Sequence, residues 1–112
     1  MTRAKLIPSP GTSAAVSVFG GQVRIARQKL GWTIQTLATR SGVSARTVSL
    51  LERGEPQVSI GNAIEIALAA GVPVFGTTHT DQLLALERVQ NEAIVLLPAR
   101  VIEPDWGTDN DF

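Results

Sequence analysis

Gly31, Gly42, Gly54 and Gly71 each follow a run of apolar residues at helical spacing, and this punctuation constrains the chain more than any other feature. In the first run Phe19, Val23, Ala26 and Leu30 recur every three or four residues from Val18 onward, and Gly31 is placed to stop the helix. Thr33 is the residue type that caps a helix N-terminus, here over Ile34–Thr39, with Leu37 and Ala38 pointing inward. Ser41-Gly42-Val43 then makes a tight connection in which Gly42 takes the left-handed backbone and Val43 is an apolar plug. Ser44 caps a third helix, Ala45–Arg53, with Val48 and Leu51 on its inner side, and Gly54 and Pro56 end it. Ser59 caps a fourth, in which Ile60, Ala63, Ile64, Ala67 and Leu68 form the expected core stripe, leaving Ile66 as a candidate exposed contact.

Outside this block the signals are weaker. Residues 1–17 hold Pro8, Pro10 and Gly11 without an apolar period and read as a flexible arm. After Gly71, residues 72–78 are β-leaning around Pro73 and Gly76, a linker or a short strand. A fifth helix is expected from Asp81 towards Leu96 with Thr80 as its cap, and Pro98 ends it. The predicted division is therefore an arm (1–17), a four-helix domain (18–71), a linker with a helix for dimerisation or a partner (72–98), and an acidic tail (99–112). The fold class is all-α, five helices in total, with flexible tails.

Net charge is zero, but it is unevenly distributed. From Gly20 to Gly54 the bases are Arg24, Arg27, Lys29, Arg40, Arg46 and Arg53, against the single acid Glu52. From Glu55 onward nine acids face only Arg88 and Arg100. A basic block followed by an acidic one suits one face to a polyanion. The absence of cysteine excludes disulfides, thiolate metal sites and cysteine nucleophiles. With one histidine, His79, no metal site is expected, and no cofactor. No catalytic set of serine, histidine and aspartate and no glycine-rich phosphate loop appear, so an enzyme is not expected. No signal peptide and no membrane span are apparent, which implies a cytoplasmic protein.

Two short helices joined by a glycine turn, with a helix on either side, follow the plan of a helix-turn-helix, whose second helix enters the major groove. The stretch from Phe19 to Gly71 resembles the Xre/Cro family of phage-type repressor domains. Arg27, Gly31, Thr33, Leu37-Ala38, Gly42-Val43-Ser44, Thr47-Val48-Ser49 and Leu51-Glu52-Arg53-Gly54 carry the resemblance, in order and at the family's spacing. It implies a lambda-repressor-like fold and a role as a DNA-binding repressor. It also implies a partly buried structural ion pair between Arg27 and Glu52. Ala45, Arg46, Ser49 and Leu50 fall at base-reading positions, with Arg46 the candidate for a guanine contact. Thr33, Gln35, Arg40, Ser44, Thr47 and Arg53 are the remaining DNA-binding candidates, suited to phosphates. Ile34 departs from the pattern, since the family usually has Gln or Glu just after the cap. With Ala45 and Leu50, it puts apolar groups on the presumed DNA face, which leaves open an adaptor that binds protein and not DNA.

The second half needs its own explanation. Leu86, Val89, Ala93 and Leu96 repeat with a 3-4-3 spacing that serves packing within the chain or pairing with a second copy, as palindromic operators require. Leu97-Pro98-Ala99-Arg100-Val101 and the acidic stretch to Phe112 resemble short regulators encoded beside HipA-type kinase toxins. That likeness implies an antitoxin (HipB-like) that represses its own toxin–antitoxin operon and holds the kinase, with Trp106 and Phe112 as aromatic anchors.

Overall fold

The computed structural model describes residues 7–101, 103 and 104. Five helices follow in order: α1 Pro10–Lys29, α2 Ile34–Ser41, α3 Ala45–Glu52, α4 Ile60–Ala69 and α5 Thr80–Val95. There is no strand among the described residues, only an isolated bridge between Val74 and Thr77. Among the described residues the fold is all-α, as expected. It divides into two compact units, one ending at His79 and the other starting at Thr80.

The first unit is built by side chains that close each helix locally and bury one face of it. The backbone N–H groups of Thr12, Thr36, Thr47 and Asn62 donate to the hydroxyls of Ser9, Thr33, Ser44 and Ser59, so every helix of this unit has a hydroxyl cap. α3 packs against α1, α2 and α4, and α2 against α4. Between them Val23, Leu37, Val48 and Ile66 are the largest fully buried side chains, each worth roughly 1.5–3 kcal/mol relative to exposure. Ala38, Val43, Leu51, Ala67, Ala70 and Val72 complete the buried cluster.

Several expectations are corrected here. Residues 1–17 are not all an arm, because α1 starts at Pro10 with Ser9 as its cap. Proline is at home in the first turn of a helix, where its missing N–H has no partner to lose. Leu30 is exposed, and the buried positions on that face are Gly20, Val23 and Arg27. Ile66 is not an exposed contact but fully buried, whereas Ile60 is 79% exposed. α4 is apolar nearly all round, and it buries 66, 67 and 70 because α2 and α3 lie on that side. The first unit continues past Gly71 because Val72 and Thr77 are buried in it.

Val74 and Thr77 exchange backbone hydrogen bonds of 2.8 and 3.2 Å around Phe75-Gly76. Both central residues have positive φ, 51° and 81°, the signature of a type I′ turn, which favours Asn-Gly. A phenylalanine there stores strain on the order of 1–3 kcal/mol, and its side chain is 82% exposed.

The second unit holds α5, whose residues are all at least partly exposed. Its helical turn continues through Leu96 N–H to the Ala93 carbonyl and Leu97 N–H to the Ile94 carbonyl.

Candidate nucleic-acid interface

The turn between α2 and α3 is set by three adjacent residues. Gly42, at φ 72°, and Val43 both donate their N–H groups to the Ala38 carbonyl, at 2.9 and 3.2 Å. Val43 is buried beneath the turn. This leaves the N-terminus of α3 in the open, with Ser44 and Thr47 sharing a 2.9 Å hydroxyl contact.

α3 is held from below by Val48 and Leu51, both buried. With about 100° of turn per residue, Arg46, Ser49, Leu50 and Arg53 share the opposite face. Arg46 and Arg53 are exposed, while Ser49 and Leu50 are half-buried. The helix is roughly 12 Å long, about the width of a major groove. Ala45 is half-buried and packs against the core, so it stands at the edge of this face, not its centre. Ile34 also packs against the core. Its side chain is partly buried there, so only part of it is left to the surface.

A bidentate ion pair fixes α1 against the end of α3. Arg27 Nε–H donates to Glu52 Oε2 at 2.7 Å and its Nη2–H to Oε1 at 2.9 Å. Its Nη1–H donates to the Trp32 carbonyl at 2.8 Å, which ties the α1–α2 connection into the same cluster. The Arg27 and Glu52 side chains are only 10% and 5% exposed. The hydrogen bond to Glu52 is the main reason Arg27 holds its proton above its ordinary value. Coulomb attraction adds to this and burial opposes it. Because the folded value is raised, raising the pH removes this contribution only in the range where arginine itself titrates.

α2 adds a polar flank. Thr33, Gln35, Thr36, Thr39 and Arg40 line an open depression of about 430 Å³. The Arg40 guanidinium lies 4.5 Å from the centre of the Trp32 ring, a stacking worth roughly 0.5–1 kcal/mol at an exposed site. It limits the directions in which Arg40 presents its N–H groups. Gln35 Nε2–H donates to Thr39 Oγ1 at 3.4 Å.

These cations and hydroxyls lie on and beside a short helix anchored from beneath. Residues 23–75 match the helix-turn-helix family model. The match covers just under half of the chain and includes α2, α3 and α4 entire. Over this segment the chain is similar to that family. No curated protein and no solved structure matches the chain.

Of the residues expected at the helix-turn-helix site, Thr33, Gln35, Arg40, Ser44, Arg46, Thr47, Ser49, Leu50 and Arg53 lie on α2, α3 or their caps. Ala45 is at the margin. Leu86, Val89 and Ala93 are exposed on α5, and Leu96 is exposed just past its end. Trp106 and Phe112 lie outside the described residues. His79 is exposed in the loop before α5, its N–H donating to Thr77 Oγ1 at 3.0 Å. No group of three acids or histidines that could hold a metal occurs among the described residues, and no described helix is long and apolar enough to cross a membrane. Two contributors had no signal in the sequence: Trp32, as the platform for Arg40, and Gly20, which allows α1 to approach α3.

Proposed function

We propose that this protein is a sequence-specific transcriptional repressor that binds a palindromic operator as a dimer, with α3 in the major groove of each half-site. The observation that carries this reading is the face of α3 bearing Arg46, Ser49, Leu50 and Arg53, opposite the buried Val48 and Leu51. Arg46 reads a guanine through O6 and N7, while Leu50 offers apolar contact to a thymine methyl. Arg53, Arg40 and the capped N-termini of α2 and α3 hold phosphates and fix the register.

Arg46→Ala is expected to weaken operator binding by about 1–3 kcal/mol, roughly 5- to 150-fold, and to relax preference at one base position. Arg40→Ala should instead weaken all sequences alike and lower the salt slope by about one. Binding selections on random duplexes with both variants separate the two roles. Unchanged operator binding by Arg46→Ala would refute its assignment.

The second copy is recruited by α5. Exposed Leu86, Val89 and Ala93 lie within one turn-to-turn stripe, and apolar residues at this spacing are the seam of a paired helix. Leu86→Asp with Val89→Asp, both at exposed positions, is expected to shift the protein to monomer in sedimentation at micromolar concentration. Operator affinity should fall by about tenfold or more. A dimer of unchanged stability would remove α5 from the interface.

The finer role is that of an antitoxin that represses its own operon and restrains a HipA-type kinase. It is supported by the sequence likeness from Leu97 to Val101 and the acidic stretch beyond it. Co-expression with such a kinase and titration of its activity tests this. The alternative, an adaptor that binds protein and not DNA, predicts no binding to random duplex at low salt and no steep salt dependence.

A further inference from the structure

Away from the α2–α3 face, the first unit carries an apolar groove of about 500 Å³. Val16 and Phe19 of α1, Ile60, Ala63 and Ile64 of α4, and Pro73 are among its walls. Its single charged lining residue is Glu55. A pocket for a polar metabolite has several converging polar groups, and this groove does not. At its rim stands Phe75, held at positive φ with its ring in solvent, and Ile60 beside the groove is also largely exposed. A strained aromatic left largely in solvent is a feature to be explained by a partner.

We infer that the groove receives Phe75 of a second copy of this chain, reciprocally, across a twofold axis. Knob and hole lie side by side on one surface, which is the condition for an isologous contact in which each copy fills the other. The nearly uncharged lining means that bringing two identical surfaces together opposes few like charges. Burying an aromatic side chain removes roughly 150–250 Å² from water. Two Phe75 rings, two Ile60 side chains and the walls that receive them amount to on the order of 1,000 Å², the low end for a specific interface. The pairing is therefore weak and reversible. It goes beyond the operator reading and uses a surface other than α5, so the two copies have two places to meet.

The test uses the full chain without DNA. In a chain that also carries Leu86→Asp and Val89→Asp, so that α5 does not contribute, Phe75→Asn and Ile60→Asp should each weaken self-association in sedimentation equilibrium by roughly tenfold or more. Phe75→Asn should also leave the melting temperature of the monomer equal or higher, since asparagine accepts the left-handed backbone. A residue that merely completed the fold would lower it. Because the sequence has no cysteine, a site-directed disulfide is clean. Phe75→Cys mixed with Ala15→Cys, which lines the groove, should cross-link roughly tenfold faster than with Ala14→Cys, the next exposed position on α1. In that pair the intact Phe75 of the Ala15→Cys chain still seats in its partner. Equal rates for the two mixtures overturn the inference. So does a Leu86→Asp, Val89→Asp chain that stays monomeric at about 1 mM, where even a millimolar contact is half populated. Neither result bears on whether α3 reads DNA, and loss of DNA binding leaves the cross-link in place.

Discussion

Glu52→Ala is expected to destabilise the protein by about 3–5 kcal/mol, measured by urea denaturation. The variant leaves the Arg27 guanidinium, only 10% exposed, with the Trp32 carbonyl as its one remaining partner. Two hydrogen bonds of 2.7 and 2.9 Å are lost at once, and the stranded charge carries its desolvation cost alone. Domains of this size are typically stable by about 5–15 kcal/mol, so a single atom group removes a large share. Replacing both partners with apolar residues, Arg27→Met with Glu52→Leu, should recover most of the loss, because no charge is then left buried. If Glu52→Ala cost less than about 1 kcal/mol, the pair would be behaving as a surface salt bridge. The consequence for function is indirect. Glu52 closes α3, so losing it loosens the angle at which Arg46 is presented, and operator affinity should fall without any DNA contact being removed.

What the sequence conveyed well is what local chemistry decides. Thr33, Ser44 and Ser59 are capping residue types directly ahead of apolar runs, and each caps its helix. Gly42 and Val43 define the turn for the same reason: one residue must take positive φ and the next must plug the core. The α3 face could be read because Val48 and Leu51 leave only one side for Arg46 and Arg53. What failed depends on partners distant in sequence. α4 has isoleucine at 60, 64 and 66, so periodicity does not select a buried side, and only its contacts with α2 and α3 put Ile66 inside. Ser9-Pro10-Gly11 looks like loop chemistry, yet the same serine and proline also start a helix, and α1 uses them so. Phe75-Gly76 escaped notice because phenylalanine is not a turn former. Its positive φ is imposed by the hydrogen bonds between Val74 and Thr77. The Arg27–Glu52 pair came from family likeness, since twenty-five residues separate the partners.

Gly20 was invisible to sequence reasoning, and it yields the second large effect. A Cβ built on it would lie 2.0 Å from the Leu51 carbonyl oxygen, 3.0 Å from the Leu51 carbonyl carbon and 3.2 Å from the Glu52 Cα. All three are backbone atoms, so no side chain can swing aside, and α1 must move off α3. Alanine is the better helix former by about 1 kcal/mol, but overpacking typically costs about 1–3 kcal/mol and occasionally more. The obstacle here is a rigid helix end. Gly20→Ala is therefore expected to lose at least about 2 kcal/mol net. Gly21→Ala is the control. It sits in the same helix with nothing within 4 Å of its would-be Cβ, so propensity alone acts and the variant should gain up to about 1 kcal/mol. Opposite signs at adjacent glycines cannot come from a general effect on α1. Because Gly20 meets the backbone that carries Glu52, moving α1 also stretches the Arg27–Glu52 pair. The double variant Gly20→Ala with Glu52→Ala should then cost less than the sum of the two alone. Strict additivity would mean that the close approach of α1 to α3 and the ion pair are independent, and that Gly20 does not set the distance across which Arg27 reaches Glu52.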